Sequence, residues 1–186
     1  TTNIGRQMKR TKSTPVHPGE FNGSVDDQLK FLENLKRSKP PIGIEKSLGF
    51  MIASTMTQLR ILMLRKIKEY GYDITPEQGH VLNTIGESEG ISQSEIAGRT
   101  MKDKPTITRI LDILEKKKLI ERRSDTGDRR AYRIYLTANG KEKIAMFMKI
   151  IKEVDEEAFR GLNDKEVRKL EEILGTVRTN VEQLHG

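Results

Sequence analysis

Two helix starts stand close together near the middle of this chain, and their spacing leaves few options. Ser92-Gln93-Ser94-Glu95 places a hydroxyl at a helix N-cap and a carboxylate three residues on, so each satisfies the other's backbone N–H. The helix it opens runs only about two turns, through Arg99. Thr100 to Asp103 make a four-residue turn, and Asp103 caps a second helix, Lys104 to Lys117, with Ile107, Ile110, Leu111 and Leu114 on one face. Two short, separately capped helices joined this tightly are the signature of a helix-turn-helix. Two strands are predicted next, Leu119 to Arg123 and Arg130 to Leu136, around the turn Ser124-Asp125-Thr126-Gly127-Asp128. In the second, Tyr132, Ile134 and Leu136 alternate with Arg133 and Tyr135, the pattern of a strand buried on one face. A hairpin directly after a helix-turn-helix is a wing.

The flanks are helical. From Glu45 to Tyr70 apolar residues recur at three and four, predicting one long amphipathic helix that ends at Gly71. Thr75-Pro76-Glu77-Gln78 opens the next with a capping box and a proline whose missing N–H costs nothing there; Val81, Leu82 and Ile85 form its buried side. Beyond the wing, Thr137 caps a long helix with Ile144, Phe147, Met148, Ile151, Val154, Phe159 and Leu162 facing inward. Asn163-Asp164 then starts a last helix in which Val167, Leu170, Leu174, Val177, Val181 and Leu184 keep alternating spacings of three and four. That narrow seam implies a partner helix, and a second subunit is the expected source, with packing inside one subunit as the alternative. Residues 1–24 read as a basic tail with Arg6, Lys9, Arg10 and Lys12, and 25–37 as a short amphipathic helix, broken at Pro40-Pro41. The expected organisation is an N-terminal extension over 1–45, a helical dimerisation region over 46–74 and 137–186, and a winged helix-turn-helix domain over 75–136.

Charge is concentrated in the same place. The chain carries a net +7, and residues 99–133 alone hold twelve Lys and Arg against six Asp and Glu. A basic excess confined to one segment points to a polyanion. Other chemistry finds little support. With no cysteine there are no disulfides, thiolate sensors or cysteine-ligated metals. His17, His80 and His185 share no metal-ligand spacing, and neither a phosphate-cradling glycine loop nor a nucleophile elbow is present. No catalysis, cofactor or metal is expected. No apolar run is long enough to span a membrane and no apolar leader precedes the first helix, so a cytoplasmic protein without a membrane partner is expected.

The stretch Ile91 to Thr137 resembles the MarR family of bacterial regulators. Ser92-Gln93-Ser94-Glu95-Ile96-Ala97, Pro105-Thr106-Ile107-Thr108-Arg109, Leu119-Ile120-Glu121-Arg122 and Asp128-Arg129-Arg130 running into Leu136-Thr137 carry the likeness, in order and without gaps. The resemblance implies a mainly α fold with a small β-wing, flanked by dimerisation helices. It also implies a homodimer on a palindromic site in double-stranded DNA, expected to act as a repressor. The second helix of the motif would enter the major groove by its N-terminal half, presenting Lys104, Pro105, Thr106, Thr108 and Arg109, with Arg109 able to fork onto a guanine edge. Ser92 and Gln93 open the first helix, whose backbone amides suit a phosphate. Arg122, Arg123 and Arg133 would line the phosphate backbone; Arg129 and Arg130 sit at the wing tip, Arg130 entering the minor groove with Asp128 bracing it. A small-molecule effector is implied as well, in a pocket near Met56, Arg60, Met63, Tyr70, Tyr72 and His80. Lys118 departs from the pattern, standing where relatives carry glycine, and a left-handed backbone there would cost about 1 kcal/mol. Two competing readings are a winged-helix module that binds an acidic protein and an accessory factor with non-specific nucleic-acid affinity.

Overall fold

The computed structural model describes residues 23–37, 43–44, 46–125 and 132–184. In chain order these form α1 (Val25–Arg37), α2 (Leu48–Glu69), α3 (Pro76–Glu87), β1 (Ile91–Ser92), α4 (Gln93–Thr100), α5 (Lys104–Lys116), β2 (Ile120–Ser124), β3 (Tyr132–Leu136), α6 (Ala138–Ala158) and α7 (Asp164–Gln183). The basic tail, Pro40-Pro41 and the wing-tip residues Asp128, Arg129 and Arg130 lie outside the described residues.

Local chemistry sets most of these boundaries. Thr75, Ser92, Asp103, Thr137 and Asn163 each accept a backbone N–H at the start of their helix, a contribution of about 1 kcal/mol apiece. α2 begins at Leu48 and not at Glu45, because Ser47 takes the cap and its hydroxyl accepts from the Phe50 amide at 3.2 Å. Gly71 ends α2 with φ +60°, and Lys118 does adopt a left-handed backbone, φ +58°. Three hydrogen bonds hold Lys118 there: its N–H donates to Glu115 O at 2.8 Å, Leu119 N–H to Leu114 O at 2.9 Å, and Thr137 Oγ1 to Lys118 O at 2.8 Å.

The sheet is three-stranded and antiparallel in the order β1-β3-β2, with Ile91 opposite Ile134, Ile120 opposite Leu136 and Ser124 opposite Tyr132. Two residues of β1 are too short for any alternation, so the sequence pattern did not predict the strand. Ile134 and Leu136 are buried as their spacing requires, whereas Tyr132 is exposed. Its pairing with Ser124 puts it at the outer end of the hairpin, past the reach of the core.

One continuous core joins α3, α4, α5 and the sheet to Ile67 of α2 and to Phe147, Ile150 and Val154 of α6. The winged helix-turn-helix is therefore hung directly on α6. Two glycines make the join possible: a Cβ on Gly79 would stand 2.4 Å from the Phe147 ring, and one on Gly140 would stand 2.0 Å from the Leu119 carbonyl oxygen. A smaller cluster of Leu32, Ile61 and Leu64 packs α1 along α2, reinforced by Lys68–Asp26 at 2.8 Å and Arg65–Glu33 at 2.7 Å.

The outer helices are left uncovered. No residue of α7 is buried; Leu174, Val177, Val181 and Leu184 are exposed, and Val167 and Leu170 are half-buried. The first half of α2 likewise exposes Leu48, Met51, Ile52 and Met56. On and after α6, Met148 and Leu162 are exposed where their spacing predicted inward positions. Apolar periodicity marks a face, but it does not say whether the same chain covers that face. Among the described residues no helix is long and apolar enough to cross a membrane.

Candidate nucleic-acid interface

α4 and α5 pack by Ile96 and Ala97 against Ile107, Ile110 and Leu111, all buried. Burying those positions turns the opposite side of α5 outward: Lys104, Pro105 and Thr108 are exposed, and Thr106 and Arg109 are half-buried. The face is stiffened from within. Asp103 accepts the Thr106 amide and hydroxyl, both at 2.8 Å. Those bonds hold its carboxyl below the usual carboxylate range, so the cap stays ionised. Gln93, at the start of α4, donates from Nε2 to the Thr108 hydroxyl at 2.5 Å, while Thr108 donates to Lys104 O at 2.9 Å. Gln93 and Thr108 thus fix α4 to α5. Ser92 is spent on a capping box with Glu95, whose carboxyl those hydrogen bonds keep low.

The cations separate into two groups. Arg122 is mostly buried and bridges Asp112 and Glu115 of α5, each at 2.7 Å, tying β2 to the recognition helix. Arg123 pairs with Glu121 and lies 4.3 Å over the Tyr135 ring; Arg133 pairs with Asp125 at the base of the hairpin. These three were expected along a phosphate backbone, and here carboxylates within the domain hold them. Carboxylates two, seven, eight or ten residues away give a sequence pattern no sign of such pairing. Among the described residues, Lys102, Lys104 and Arg109 make no ion pair; Lys102 lies in the turn before α5, and Lys104 and Arg109 lie in its first half.

A cavity of about 580 Å³ opens behind this face. It brings Met56, Arg60, Met63 and His80 together with Phe159 of the segment after α6 and Lys102 of the α4–α5 turn. Burial holds the His80 imidazole below its usual range, and its ring stands edge-on to Phe147, centroids 5.5 Å apart. Arg60 donates to Glu77 and to Gln28. Tyr72 and Tyr70 do not join this wall. The Tyr72 hydroxyl donates to the Lys143 carbonyl, burial pushes its phenol far up, and it lines a separate cavity of about 520 Å³; the Tyr70 hydroxyl donates to Glu153. Both tyrosines follow the end of α2, whose residues here face α6. Among the described residues no three His, Asp or Glu are grouped as a metal site.

A capped two-helix motif followed by a short antiparallel hairpin is a winged helix-turn-helix. Residues 74–132 match the MarR family profile. The transcriptional regulator HosA of Escherichia coli is 31% identical over 94 residues, 50% of this chain and 70% of HosA. A MarR transcriptional regulator from Methanosarcina mazei Go1 superposes with a TM-score of 0.64 at 28% identity, covering 74% of this chain and 97% of that one. A mutant MarR from E. coli complexed with operator DNA superposes with a TM-score of 0.67 at 26% identity, covering 74% of this chain and 99% of that one. The chain belongs to the MarR family of transcriptional regulators.

Proposed function

We propose that this regulator works as a homodimer that grips a palindromic operator in duplex DNA and represses transcription from the cytoplasm, released by a small molecule bound in the 580 Å³ cavity. The observation that carries the reading is the face of α5. Lys104, Pro105, Thr106, Thr108 and Arg109 project from a rigid, fully packed support, and Lys104 and Arg109, unpaired among the described residues, stand in the half of the helix that would enter the major groove. The operator-bound E. coli relative shares this fold. Ser92 and Gln93 serve chiefly by fixing the two helices, with α4 backbone amides free to meet a phosphate. Arg130 is assigned to the minor groove and Asp128 to bracing it, with Arg129 as a further wing contact. Arg122 acts indirectly, as a strut for the hairpin.

Dimerisation falls to the uncovered faces: Val167, Leu170, Leu174, Val177, Val181 and Leu184 on and just after α7, with the exposed first half of α2. An apolar stripe of this length left in water is an association surface. Met56, Arg60, Met63 and His80 contribute to the effector site, and Tyr72 is left out of it.

Selection of bound sequences from a random duplex pool tests the whole reading. The expected outcome is one palindrome with half-sites about one helical turn apart, bound more weakly as salt rises. Equal recovery of all sequences, or no retention at low ionic strength, refutes it.

A further inference from the structure

α1 buries a polar side chain between its neighbours. Gln28 is 1% exposed, and a buried amide is costly unless it is bonded. Its Nε2 donates to Gly23 O at 3.2 Å, and its Oε1 accepts from Arg60 Nη2 at 2.9 Å. The same Nη2 donates to Glu77, in the first turn of α3. Both of these contacts of the guanidinium fall on one nitrogen. Among the described residues Nη1 and Nε make no hydrogen bond. Three elements, α1, α2 and α3, meet at this one group, and Arg60 and Glu77 both line the 580 Å³ cavity beside Met56, Leu59 and Met63. A guanidinium clamped by one nitrogen with the rest of its fork unused, set in an apolar wall, suits an anion attached to an apolar body. Lys102 and Arg99 on the same cavity favour the same sign of ligand, against Glu77 and Asp155.

We propose that Gln28 is a positioning residue of the ligand cavity, holding Arg60 so that its free edge receives the carboxylate or sulfonate of an apolar organic anion. The N-terminal helix then belongs to the effector site and does not merely cover α2. This rests on the cavity being a ligand site, and the test separates the two claims. Two fluorescent probes that share a ring system are titrated into the full chain: anilinonaphthalene sulfonate, which is anionic, and N-phenylnaphthylamine, which is neutral. The readout is the ratio of their affinities, which loosened packing alone would leave unmoved.

Arg60→Met should lower the anionic preference about tenfold, a charge-assisted bond removed. Gln28→Leu should lower it about three- to fivefold with the neutral probe unaffected, and the gentler Gln28→Asn, one methylene short of Arg60, should do the same in a protein that keeps its amide. Glu33→Ala, which breaks only the surface pair with Arg65, should leave the ratio at its starting value. If Arg60→Met lowers the ratio and neither Gln28 variant does, the positioning role is overturned while the cavity reading stands. A ratio unmoved by Arg60→Met overturns the anion site itself, and the role of Gln28 with it.

Discussion

Gly140→Ala sets two physical rules against each other. Glycine inside a helix costs up to about 1 kcal/mol relative to alanine, so propensity alone makes this change stabilising. The structure gives the opposite sign. Gly140 is in the first turn of α6, and its Cβ would stand 2.0 Å from the backbone oxygen of Leu119, where contacts under 3.0 Å are essentially never seen. Relief needs a backbone shift of about 1 Å. The oxygen cannot move freely, because it accepts the Thr137 amide at 3.0 Å, and Leu119 is buried just after the left-handed Lys118. Overpacking costs about 1–3 kcal/mol, and a weakened buried hydrogen bond about 1–3 kcal/mol more. After a propensity gain of up to about 1 kcal/mol, a net loss of about 1–5 kcal/mol remains. For a chain of this size that is a fall in Tm of roughly 2–20 °C, read by calorimetry at matched protein concentration, since association makes Tm depend on concentration. An unchanged or raised Tm would refute the claim that the reading head is seated on α6 through this contact.

Leu174→Asp combined with Val177→Asp should raise the dimer dissociation constant at least tenfold, because each places a charge in an apolar seam; sedimentation velocity reports the monomer, and a persisting dimer would show that α7 does not form the interface. Burial holds the His80 imidazole below its usual 6.5, so at acid pH the unfolded chain binds a proton that the folded one resists. The stability this provides is intact above about pH 6.5 and is lost as pH falls, and His80→Gln should flatten the fall in Tm between about pH 7 and about pH 5. Arg122→Met should cost about 1 kcal/mol of stability, the Asp112 and Glu115 carboxylates being partly exposed. It should leave the salt dependence of DNA binding unchanged, whereas Lys104→Ala should reduce that slope by about one ion; the reverse pattern would return Arg122 to the phosphate backbone.

Local signals were legible where the chemistry is local. The caps at Thr75, Ser92, Asp103, Thr137 and Asn163 and the buried faces of α3 and α5 follow from residues within a few positions of one another, whereas the left-handed Lys118 was signalled only by the family resemblance. Features that depend on distant partners were not legible. β1 exists because β3 offers Ile134 to Ile91, far along the chain. Gln93 finds Thr108 only after α4 folds onto α5. Tyr72 reads as sharing a pocket with His80, but its hydroxyl bonds the Lys143 carbonyl and it lines a different cavity. Gly79 and Gly140 carry no pattern at all, and only the approach of Phe147 and Leu119 explains them.

The charge of the basic segment also looks different in three dimensions. Counted along the chain, twelve Lys and Arg between 99 and 133 suggest a broad positive surface. Folding removes Arg122, Arg123 and Arg133 into pairs within the domain, and Lys117 reaches Asp73 in the loop after α2. These paired residues hold the hairpin and α5 in register and add little to a long-range field. At the leading end of α5, Lys102, Lys104 and Arg109 remain unpaired among the described residues, the first of them also on the cavity wall. A molecule entering that cavity therefore meets the turn that leads directly into the recognition helix. On the proposed reading, an anion within and phosphates without would draw on neighbouring positive charge, separated only by the Asp103 cap and one turn of helix.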